Sequence, residues 1–74
     1  MNWPACYEVR VAEPLESHWL QWFLDLDLVP AQDPSGPGTL LRGNLRDQAA
    51  LFGALARVRD LNLTLLEVRR IEEG

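Results

Sequence analysis

The chain has 74 residues, 47% hydrophobic and 24% charged, with a net charge of −4; that is enough apolar content for one small folded domain and too much for disorder. All seven basic residues are arginine, and an acidic chain without lysine is a poor match for nucleic acid or an anionic membrane. The single cysteine, Cys6, excludes an internal disulfide and a cysteine zinc cluster.

Residues 7–11, Tyr7-Glu8-Val9-Arg10-Val11, alternate apolar and charged, the period of a half-buried strand. Tyr7, Val9 and Val11 are expected to face the core, with Glu8 and Arg10 on the other side. Residues 15–24 then read as a short helix. Leu15, Trp19, Trp22, Phe23 and Leu26 fall on one broad stripe at i, i+4, i+7, i+8 and i+11. Pro14 suits a first turn, although no strong N-cap precedes it. Residues 25–29 alternate again and predict a second strand with Leu26 and Leu28 inward, closed or placed at an edge by Pro30.

Residues 33–38 hold two prolines, two glycines and an aspartate, which reads as a hairpin loop longer than the two-residue type. Residues 39–43 form the returning strand. Asn44-Leu45-Arg46-Asp47 resembles a capping box, with Asn44 or Asp47 as the N-cap. Leu51, Ala54, Leu55, Val58 and Leu61 follow at helical spacing, giving a helix over 47–61. Arg57 and Arg59 suit its C-terminal end, and Asn62 suits a left-handed cap. Gly53, inside this helix, is expected to permit a close approach, so Gly53→Leu should overpack. Residues 64–71 are the last strand, with Leu66 and Val68 inward, and residues 72–74 are a polar tail.

The order strand, helix, strand, strand, helix, strand predicts an α+β fold of the ferredoxin-like split β-α-β kind. In it a four-stranded antiparallel sheet carries two helices on one face. The chain is one domain, with a folded core over 6–71 and terminal segments at 1–5 and 72–74.

Such a fold leaves one sheet face bare. Glu8, Arg10, Leu40, Arg42, Leu65, Glu67, Arg69 and Ile71 are expected there, and they form the candidate homodimer face. Small domains often gain burial this way. Trp3, Trp19 and Trp22 form the candidate ligand or partner patch, which is otherwise core. His18 reads as an exposed helix residue, because no second histidine completes a metal site. Asp25 and Asp27 read as the outward residues of a strand. Neither GxGxxG nor GxxxxGK[ST] is present, and the sheet face lacks the aromatics of single-strand RNA binders. No catalytic, cofactor or metal site is therefore assigned.

No secretory leader is read at the N-terminus, and no apolar run approaches the roughly 18 residues of a membrane span. A lone cysteine fits the cytoplasm.

The residues from Tyr7 to Ile71 resemble a family of short bacterial proteins of unknown function. The resemblance is carried by a D-Q-A-A-L-x-G-x-L helix, here Asp47-Gln48-Ala49-Ala50-Leu51-Phe52-Gly53-Ala54-Leu55, and a following Arg57-Val58-Arg59-Asp60-Leu61-Asn62-Leu63. Tyr7-Glu8-Val9-Arg10-Val11 and Trp19 with Trp22-Phe23 match as well. In this resemblance Phe52 stands where members often carry histidine, and Asn62 where they often carry glycine. The resemblance implies no activity. The expectation is an interaction or regulatory module that is not an enzyme, acting by dimerisation or by docking an unknown protein partner. A small-ligand sensor is the alternative, and a cofactor-independent ferredoxin-like enzyme the third reading.

Overall fold

The computed structural model describes residues 3–23, 25–33 and 36–72. Four strands form one antiparallel sheet: β1 (Ala5–Val11), β2 (Asp27–Asp33), β3 (Gly36–Leu45) and β4 (Leu65–Ile71), in the spatial order β2-β3-β1-β4. One α-helix, α1 (Gln48–Asp60), joins β3 to β4, and a short 3-10 helix (Ser17–Trp22) lies between β1 and β2. The fold is therefore a small α+β arrangement with one α-helix among the described residues.

The expected first helix over 15–24 needs correction. Its described part is a six-residue 3-10 helix, and Leu24 lies outside the described residues. The bonds are of the i→i+3 kind, with the Trp19 amide donating to the Glu16 carbonyl and Phe23 to Leu20, both at 3.0 Å. No side chain caps the start. The twelve residues between Pro14 and β2 are too few to repay α-helical nucleation without a cap. The tighter helix rotates the stripe: Phe23 and Leu26 are buried, whereas Trp22 is 44% exposed.

The second helix forms as its pattern requires. Asp47 is the N-cap, its carboxylate accepting from the Ala50 amide at 2.8 Å. Arg57 and Arg59 occupy the last turn, and Asn62 sits at φ 59° just beyond. Leu51 and Val58 are buried against Tyr7, Val9, Val11, Leu41 and Leu45, with Ala54, Leu55 and Leu61 packed around them.

The first three strands are longer than the patterns indicate, and β4 is one residue shorter. β2 runs through Pro30, which an edge strand tolerates, and β2 pairs with β3 as far as Asp33 and Gly36. The ladder thus takes up positions expected in a long loop, of which 34 and 35 lie outside the described residues. Residues 1–2 and 73–74, parts of the expected terminal segments, also lie outside them.

Tyr7, Val9 and Val11 are buried, as the alternation of β1 requires. The inward positions of β4 need a second correction. Leu66, 51% exposed, falls at the register slip between Arg10 and Val11 and lies beside Arg10 and Ala31, whereas Val68 pairs with Val9 and so shares the helix side, yet is 39% exposed. The cause is cover. α1 approaches the sheet at β3, and a single helix does not extend its shelter to the β4 edge.

Candidate functional site

Three surfaces hold the residues that the sequence singles out. The first is a groove of about 610 Å³ between α1 and the segment that follows the 3-10 helix. Its α1 wall is Ala50, Gly53, Ala54 and Arg57, at i, i+3, i+4 and i+7, one helical face of small side chains ending in a cation. Trp22, Phe23 and Asp25 form the opposite wall, with Leu26 and Leu45 among its apolar lining and Arg46 and Asp60 beside it. A volume in this range suits a small molecule or a few side chains. Gly53 faces open space, since a Cβ built on it meets nothing within 4 Å. This reverses the close approach expected at Gly53.

The segment that leads into the 3-10 helix is held by a buried hydroxyl. Thr39 on β3 is almost fully buried, and its Oγ1 accepts from the Leu15 amide at 2.8 Å and donates to the Glu13 carbonyl at 2.9 Å. Nearby, the Glu13 carboxylate accepts from the Thr64 amide (2.8 Å) and hydroxyl (2.7 Å), clamping the end of β1 to the start of β4. The hydrogen bond from the Thr64 amide, then that from its hydroxyl, holds the Glu13 carboxyl below its ordinary pKa.

Of the three tryptophans, only Trp22 lines the groove. Trp3 is half-buried and stacks on Tyr7, with ring centroids 5.8 Å apart. Trp19 is half-buried, with the His18 ring 5.7 Å away. His18 itself is exposed and faces the Glu16 carboxylate at 3.7 Å. Free Cys6 is half-buried on β1.

The second surface is the open sheet face, where the register orders the charges. Asp27, Arg42, Glu8 and Arg69 form one row across β2, β3, β1 and β4. Val29, Leu40, Arg10 and Glu67 form the next. Glu8 is the hub: its side chain is 12% exposed, with Arg69 Nη2 at 2.9 Å and Arg42 Nε at 3.6 Å. Ile71 pairs with Cys6 in a third row. The register slips between Arg10 and Val11, so Leu65 pairs with Val11 rather than extending the Glu67 side by simple alternation. The face is thus mainly an ion-pair ladder with a small apolar share from Val29, Leu40 and Ile71.

The third surface is β4 itself, which sequence reasoning took for a half-buried strand. It lies at the sheet edge, is exposed from Leu65 through Arg69, and presents Leu65, Leu66 and Val68 to solvent. Its composition offered no warning, because alternation identifies a face without saying whether anything covers it.

A family described as a domain of unknown function, DUF8691, matches residues 6–69. No curated protein matches the chain, and no solved structure does. No helix among the described residues is long and apolar enough to cross a membrane.

Proposed function

The chain belongs to the DUF8691 family, a domain of unknown function, and from that premise we propose that it is an interaction or regulatory module that works as a homodimer. The carrying observation is β4, an edge strand exposed on both faces with three large apolar side chains. A bare apolar edge is a liability that proteins cover or blunt. A domain of this size also gains needed burial by association. We read the architecture as a ferredoxin-like split β-α-β arrangement whose first helix has shrunk to a 3-10 turn; the strand order β2-β3-β1-β4 supports that reading. We read the setting as bacterial and cytoplasmic, on the resemblance and on the single free cysteine. The acidic, lysine-free composition favours a protein partner over nucleic acid or a membrane.

Sedimentation velocity across a concentration series tests the module directly. A dimer is expected in the micromolar range. A monomer persisting at several hundred micromolar refutes it.

A second reading rests on the groove: a sensor that takes a small ligand beside Trp22. Tryptophan emission titrated with a panel of small metabolites tests it, with Trp22→Phe as the control. A saturable shift that this variant abolishes supports the sensor.

A further inference from the structure

Building on the homodimer reading, we infer that two copies join edge to edge through β4, antiparallel, on a two-fold axis passing at Val68. The two edges of the sheet differ. β2 carries Pro30, which has no N–H to offer a neighbouring strand, and it also carries Asp27. β4 has no proline over its seven residues and keeps apolar side chains in solvent. β4 is therefore the edge able to accept another strand.

The register follows from symmetry and charge. An antiparallel pair made by a two-fold normal to the sheet keeps each copy's open face on the same side. Partner residues must then share a face, so the axis passes at a residue rather than between two. An axis at Glu67 sets Glu67 against its own copy, and an axis at Arg69 does the same for Arg69. Both put like charges directly opposite, which is destabilising. An axis at Val68 sets Val68 against Val68 on the helix side and Glu67 against Arg69 on the open side, twice. It also extends the existing ladder. Asp27, Arg42, Glu8 and Arg69 alternate in sign across one copy. Glu67 and then Arg10 of the second copy continue that alternation without a break. The two exposed valines, which α1 leaves bare, cover one another.

The test places charge at the axis. Val68→Glu and Val68→Arg are each expected to weaken self-association ~tenfold or more, because each sets like charges face to face. An equimolar mixture of the two should recover a mixed dimer of about parental affinity, since only residue 68 of each copy has changed and the charges now oppose. Circular dichroism and thermal melts establish that both variants fold. A variant that does not fold is replaced by Val68→Cys in a Cys6→Ser background. Oxidation should give a covalent dimer, whereas Val29→Cys on the β2 edge, in the same background, should remain monomeric under the same treatment. A parent that stays monomeric sinks the homodimer reading, and this inference with it. A parental dimer that tolerates both charged variants, or cross-links equally well at position 29, leaves the homodimer standing and overturns the β4 register. Packing through the open sheet face would give that second result, because Val68 lies on the helix side.

Discussion

Replacing Thr39 by valine probes how the 13–15 segment, between β1 and the 3-10 helix, is held. The two side chains have nearly the same shape, so the change removes the hydroxyl and little else. Thr39 is 2% exposed, and its Oγ1 serves both the Leu15 amide and the Glu13 carbonyl. Losing it strands one donor and one acceptor, each costing about 1–3 kcal/mol when buried without a partner. Both bonds are only partly buried, so water recovers a share, and the expected loss is about 2–3 kcal/mol. Total stability for a chain of this length is about 4–11 kcal/mol, at the usual value per residue. The midpoint in urea should therefore fall by about 1–3 M, given slopes typical of small domains. Thr39→Ser is the control: it keeps the hydroxyl and loses one buried methyl, about 1 kcal/mol. Urea titration followed by tryptophan emission ranks the three proteins. If Thr39→Val is no less stable than Thr39→Ser, the hydroxyl does not hold the 13–15 segment.

Three further substitutions have definite signs. Gly53→Ala should raise stability by about 0.5–1 kcal/mol, because the position is mid-helix and open, and a thermal melt that falls instead would show the groove to be closed there. Gly43→Ala should lower stability by about 1–3 kcal/mol in the same melt, since the new Cβ collides with the Asp25 carbonyl oxygen, a backbone atom that cannot swing away. Glu13 has its pKa lowered on folding, so its contribution is present at neutral pH, above its unfolded value. That contribution is lost as pH falls from the unfolded value through the folded one. Glu13→Gln should therefore flatten this acid limb of the stability curve, and an unchanged limb would remove Thr64 as the cause.

Local signals in the sequence were readable wherever a residue answers to its immediate neighbours. The alternation of Tyr7, Val9 and Val11, the cap at Asp47 and the left-handed Asn62 depend on backbone geometry within a few positions, and all three are present. The first helix was not readable in this way. The spacing of Leu15, Trp19, Trp22 and Phe23 describes a face, but helix formation also depends on length and capping, and both are short here. Thr39 gave no signal, because its partners Glu13 and Leu15 lie 26 and 24 residues away in the chain. Val68 is on the expected side of the sheet but in the wrong environment, and Leu66 sits at the register slip, beside Arg10 and Ala31. What covers that side is decided by α1, which settles over β3.

The reduced first helix accounts for both unusual surfaces, and their positions decide whether they can operate together. A four-stranded sheet with one α-helix is short of cover. Beside α1 the shortage appears as the groove, lined by Leu26 and by Leu45 at the end of β3. At the far edge it appears as β4, two strands from β3 in the sheet order. Pairing two copies through β4 would therefore bury Val68 and leave each groove open at the opposite side of its own sheet. Dimerisation and groove binding then do not compete for surface, and occupying one has no steric reason to weaken the other. The dimer reading and the sensor reading fit one assembly: a joined sheet with two outward grooves, each carrying a Trp22. A ligand that shifts Trp22 emission should leave the sedimentation coefficient of the dimer unchanged. A ligand that dissociates the dimer would mean that the two surfaces are coupled through α1, since that helix lines one and stops short of the other.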